Sequence, residues 1–339
     1  MRTVDFVALA ILQWAVAPAT ASAHHGSAAH FEEGRRIEIV GVVRAFEARN
    51  PHSFLYIDVA DQSGETVAWR CEFNSIASIR RAGVDENSFT PGEAIRVVGH
   101  PARRDARECF FLRAELGDGR TVSLPSWTPQ ATGLAPRLEQ DGIFGTWVRK
   151  ALSSGGPRML DFLTEAGRAA VAAYDPIRDD PVRRCSPVNP TRLWSNPVQP
   201  SEIVNEGERI VMRFEFMDAV REVFLTSAIH PADGPRTVLG HSIGRWEGET
   251  LVIETANFSE GVVSQYADTG DGGFAGILHS DEYRLTERLA VNPQTGELEI
   301  RWTHEDPKYF TRTFSGGPTT LVRRPDLRVN DYNCEPDAE

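Results

Sequence analysis

Between positions 209 and 323 the chain repeats one pattern, a short β-type run followed by turn residues. The runs fall at 209–217, 220–226, 236–244, 250–256, 280–290, 298–305, 310–314 and 319–323. Strand side chains alternate between faces, so Ile210, Met212, Phe214 and Phe216 share one side while Val211, Arg213, Glu215 and Met217 take the other. Seven or eight consecutive strands with short turns leave edges that a closed ring removes. The expected architecture is a mainly β unit closed as an antiparallel up-and-down barrel. The alternative is a β-sandwich.

An earlier stretch, 36–124, has a different grammar. β-Branched and aromatic residues mark strands at 37–43, 54–59 and 67–73. Ser75 then caps a helix over 76–82 that stops at Gly83. Strands follow at 94–99, 109–116 and 121–124. Three strands, a helix and two or three strands is the order of a five-stranded OB-like barrel. Residues 125–144 carry Pro125, Pro129 and Pro136 with no apolar period, and read as a linker. The second unit opens at Gly145-Thr146-Trp147, with Thr164 capping a helix over 165–174 and Pro-rich coil over 176–200. The division is 1–23 signal peptide, 24–124 OB-like domain, 125–144 linker and 145–339 larger barrel.

The leader sets the compartment. An apolar run from Phe6 to Ala17 precedes Ala21-Ser22-Ala23, a small-x-small cleavage site. The expected location is the periplasm or the cell exterior, with no transmembrane segment left after cleavage. In such a space the four cysteines are expected as disulfides, Cys71 with Cys109 and Cys185 with Cys334 if pairing stays within each unit. A formal net charge of −12, spread along the chain, argues against nucleic acid, whose binding relies on basic patches.

Cleavage after Ala23 makes His24 the first residue and gives it an amine beside its imidazole. With His25 and the His52 of Asn50-Pro51-His52, this nitrogen set suits Cu(II). Copper is the one cofactor the sequence suggests; the alternative is a frayed terminus that happens to hold histidines.

Gly240-His241-Ser242-Ile243-Gly244 has the form G-x-S-x-G, whose chemistry needs a strand, a tight turn and a helix. Here a further strand follows, so the match is read as chance. Polar residues alternating on strands offer another site. His279, Asp281, Tyr283 and Glu287 are expected on one face, Glu215 with Arg213 on another, and Arg221 on a neighbouring strand. His279, Glu287, Glu215 and Arg221 are the candidates for acid–base work inside a barrel.

The first unit resembles an uncharacterised family of secreted bacterial domains. The likeness rests on His24-His25-Gly26-Ser27, Asn50-Pro51-His52, Trp69 with Glu72, and Pro91-Gly92-Glu93. The second resembles a region of secreted proteins whose role is also unknown. It shares Ile229-His230-Pro231, Gly244-Arg245-Trp246-Glu247-Gly248-Glu249-Thr250-Leu251-Val252, His279-Ser280, Thr286-Glu287-Arg288, Asp306-Pro307 and Tyr332-Asn333-Cys334-Glu335. Glu249 stands where that region usually has aspartate. Gly145-x-Trp147 is similar to the lipocalin opening and implies a lipocalin-like barrel. Neither resemblance brings an activity.

The expectation is therefore an exported, non-catalytic binding protein, for copper or for an unidentified small molecule. The alternatives are a barrel enzyme acting on a small apolar or phenolic molecule, and an envelope or extracellular interaction module.

Overall fold

A computed structural model describes residues 29–124, 142–150 and 159–337, except 176, 197 and 270–273. The first barrel begins with β1 (Ile37–Glu47), β2 (Phe54–Ala60) and β3 (Thr66–Glu72). Ser75 then caps α1 (Ile76–Arg80), its side chain accepting from the Ser78 amide. β4 (Ala94–Pro101), β5 (Glu108–Leu116) and β6 (Thr121–Ser123) complete the unit. The strand order is β3-β2-β1-β4-β5-β6, and β3 also pairs in parallel with β5. That pairing closes five strands into the expected OB-like ring.

Cys71 lies directly opposite Cys109 in the closing pair. Their disulfide therefore staples the seam, with Cα atoms 4.4 Å apart. Gly99 marks where β4 bends against β5; a Cβ there would meet the Phe110 carbonyl oxygen at 2.5 Å. Inside, Phe73 stacks on Phe111 at 4.1 Å, and Ile76 and Ile79 of α1 join the same core. Each such side chain contributes about 1.5–3 kcal/mol by leaving water.

The second barrel starts with β7 (Gly145–Arg149). A long excursion carries α2 (Glu165–Ala173), capped by Thr164, and α3 (Pro190–Ser195), capped by Asn189. β8 (Ser201–Asn205), β9 (Arg209–Phe214), β10 (Ala219–Phe224), β11 (His241–Glu247) and β12 (Thr250–Ala256) follow. β13 (Gly261–Asp268) and β14 (Phe274–His279) form a separate hairpin, after which β15 (Arg284–Val291), β16 (Leu298–Glu305) and β17 (Phe314–Arg323) return to the wall. Nine strands close in a ring, which settles the barrel against the sandwich. A ring with an odd number of strands cannot alternate direction all the way round. The break falls at β10 and β11, which pair in parallel, and residues 225–240 cross over to make this possible.

Several expected strands shift. The run at 236–244 begins only at His241, because the residues before it belong to the crossover. The run at 310–314 contributes only its last residue, because Phe310 makes an isolated bridge to Leu163 and the next residues turn. The strand β17 starts at Phe314 and runs through Gly316-Gly317-Pro318 to absorb the run at 319–323, with an irregular register against β16. The coil expected over 176–200 contains α3, whose Pro190 to Trp194 are all buried. Asn189-Pro190, a cap followed by proline at the first helical position, is the signal for it in the sequence. Both expected disulfides form. Among the described residues no helix is long and apolar enough to cross a membrane.

Candidate functional site

The interior of the larger barrel holds a charged knot. Inward positions on β10, β11, β12 and β15 bring Arg221, Ser242, Thr255 and Glu287 together, each at most 2% exposed. Arg221 Nε donates to Ser242 Oγ at 3.0 Å and its Nη2 to Thr255 Oγ1 at 2.7 Å. The same Nη2 donates to the Glu287 carboxylate. From α3, Trp194 Nε1 donates to the other Glu287 oxygen at 3.0 Å. Burying two charges costs several kcal/mol per ion unless both are paired and hydrogen-bonded. Here they pair with each other, although Arg221 Nη1 is buried without a hydrogen-bond partner, and the knot ties four wall strands to the helix that enters the barrel.

His279 lies nearby but makes a different set of contacts. It ends β14 rather than sharing a strand with Glu287, because residues 280–283 turn before β15 begins. Its Nδ1 faces the Ser280 carbonyl at 3.1 Å, and its ring stacks on Tyr283 at 4.5 Å. Tyr283 in turn meets His304 Nδ1 at 2.7 Å. Burial holds the His279 imidazole down at about 4. Burial, with the neighbouring His279 adding to it, holds His304 at about 3. Both rings are neutral at pH 7. Asp281 is half-buried in the turn.

Glu215 does not join this interior. It follows β9 in a turn and accepts two hydrogen bonds from Arg81 Nη2, at 2.8 and 2.6 Å. Arg213 points outward to Glu202 and Glu206, so the expected Arg213–Glu215 face is broken by the turn. Ser242, the second residue of β11, bonds to Arg221 and Thr255 and is followed by strand, not helix; this is no nucleophile elbow.

A cleft of about 450 Å³ lies at the junction of the barrels, between α1, the loop at 48–50 and residues 330–335, with Arg49, Asn50, Ala77, Arg81, Glu215 and Asn330 among its lining. Sequence reasoning missed it because its walls come from stretches some 280 residues apart. Asn50 is the pivot. Its side-chain oxygen accepts from the Ala77 amide at 3.1 Å, its Nδ2 donates to the Tyr332 carbonyl, and its own carbonyl accepts from the Glu335 amide at 2.8 Å. Arg49 donates to the carbonyls of Glu335 and Pro336. Gln199 Nε2 reaches both Ser75 and Ser78 at 2.8 Å. The Cys185–Cys334 disulfide anchors the segment that makes these contacts.

His52 belongs to the same junction. Its Nδ1 pairs with Asp337 at 2.8 Å and its Nε2 lies 3.9 Å from Glu72. Burial opposes its protonation, but Glu72 and the Asp337 bond and charge outweigh it and raise the imidazole above its usual range. His24 and His25 lie outside the described residues. Among the described residues no group of three or more His, Cys, Asp or Glu is placed to hold a metal ion.

Residues 13–110 match the model of a family of unknown function, DUF6152. The match reaches from before the first barrel into β5 and fits an uncharacterised family. No curated protein and no solved structure matches the chain.

Proposed function

We propose that this is an exported, non-catalytic binding protein whose ligand, a small polar molecule, sits in the cleft between the two barrels. The observation that carries the reading is the contrast between the two candidate spaces. The cleft has a volume of about 450 Å³, within the range of roughly 300–1,000 Å³ typical of ligand sites. The barrel interior is instead filled by Trp147, Trp194 and the Arg221–Glu287 pair. The leader and two disulfides support export.

Arginines and carboxylates both line the cleft, beside amides. A ligand with donors and acceptors of both kinds fits that lining better than an apolar one. The enzymatic alternative is less well supported, since Glu287 and Arg221 pair with one another and no hydrogen bond joins either to His279 among the described residues.

The test is a thermal-shift screen of small polar molecules against the wild type and Ala77→Phe, which fills the cleft from α1. A true ligand at a hundred times its Kd contributes about 2.7 kcal/mol to the wild type and far less to A77F. Ligands that stabilise both proteins equally would place the site elsewhere.

A further inference from the structure

We propose that His230 and His241 form a second site, distant in kind from the cleft, for a divalent late transition ion with Cu(II) as the tightest occupant. The odd strand count forces the crossover between β10 and β11. That crossover carries His230 back over the first residue of β11, His241. The two Nδ1 atoms lie 3.0 Å apart, with ring planes at 84°. Two nitrogens bound at about 2.0–2.1 Å to one ion sit about 2.8–3.0 Å apart at a right angle and about 3.3–3.4 Å apart at the tetrahedral angle. The observed spacing of 3.0 Å matches the right-angle arrangement at its upper edge.

The His241 ring is held from behind, and the chain beside His230 is tied down. Phe224 stacks on His241 with centroids 5.2 Å apart and planes at 15°. Beside His230, the Pro231 carbonyl accepts from Asn257 Nδ2 at 2.8 Å. Farther along, the Thr237 amide donates to the Asn257 carbonyl at 3.2 Å. The crossover is therefore tied to the end of β12 at two points between the two histidines. Each histidine is half-buried, so water can complete a coordination sphere that the protein begins with two nitrogens. Neutral imidazole suits copper, nickel and zinc, and copper heads the divalent series. Among the described residues no third His, Cys, Asp or Glu joins the pair as a metal-holding group. The site is expected to be exchangeable rather than permanent.

The experiment is Cu(II) equilibrium dialysis with metal analysis on the full exported chain, His230→Ala and His241→Ala, each checked for an unchanged melting curve. The wild type should hold one more equivalent than either variant, whatever the amino-terminal histidines bind, and each single loss should weaken that equivalent at least tenfold. Equal stoichiometry and affinity in all three proteins would overturn the proposal and leave a plain imidazole–imidazole hydrogen bond. If a variant fails to fold, ¹⁵N imidazole spectra of the wild type under Zn(II) decide. Joint movement of the two Nδ1 signals supports the site, and movement confined to other histidines overturns it.

Discussion

The imidazole of His52 and the carboxylate of Asp337 meet at 2.8 Å although 285 positions separate them in the chain. The contact closes a latch in which Asn50-Pro51-His52 of the first barrel receives the segment beginning at Tyr332. Two stretches that stand out separately in the sequence thus recognise each other in the fold.

A double-mutant cycle on His52→Ala and Asp337→Ala should report a coupling of about 1–2 kcal/mol by urea denaturation, as for a part-buried charged hydrogen bond. Additive effects within about 0.3 kcal/mol would mean the latch is held by the other contacts of Asn50, Arg49 and Arg183 and by the Cys185–Cys334 bridge.

Arg221→Met leaves Glu287 buried with its Trp194 bond but no cation, and should cost about 3–5 kcal/mol. Arg221→Met combined with Glu287→Leu should cost clearly less than the sum of the single changes, because no unpaired charge remains. Equal losses in both singles and the double, measured from chemical denaturation midpoints, would argue that packing rather than charge decides.

The buried histidines set an acid limit. His279 is held at about 4 and His304 at about 3, each against an unfolded value of 6.5. Between these values the unfolded chain binds protons that the folded chain does not, so stability falls as pH drops from 6.5 toward 4. Asp306 and Glu260 favour protonation of His279 but do not overcome its burial. The loss by pH 4 is on the order of 3 kcal/mol from His279 alone. Replacing both by glutamine should flatten that slope, and an unchanged pH profile would show that other groups govern it.

The Cys185–Cys334 bridge closes a separation of 149 residues, for which the chain-entropy model assigns about 5 kcal/mol. Cys185→Ser with Cys334→Ser should therefore lower stability by about 2–5 kcal/mol and weaken the His52–Asp337 coupling in the same cycle. Lost stability with intact coupling would show that the latch holds its segment without the bridge.

Local rules found much of the fold. The Ser75 and Thr164 caps place α1 and α2 because capping is decided within three or four residues. Inward alternation at Leu285, Glu287 and Leu289 follows from the period of a strand. Strand ends were less visible where tertiary contacts decide them, as at His241, whose predecessors are drawn into the crossover. Among the site candidates, Arg221 and Glu287 converge as inward positions should. Glu215 departs, because a turn after Phe214 sends it to Arg81.

The sequence by itself determined a mainly β chain in two units, with the order of an OB-like barrel first, a larger barrel second, and cysteines paired within each unit. Periodicity, caps and cysteine parity are short-range properties, and each survives without knowledge of the rest of the chain. Only the tertiary structure decided that the second ring has nine strands, that α3 fills it, and that the open cleft lies at the junction. Those outcomes depend on which distant surfaces meet. Contacts such as His52 with Asp337, or His230 with His241, are set by closure of the rings and the path of the crossover, not by spacing along the chain.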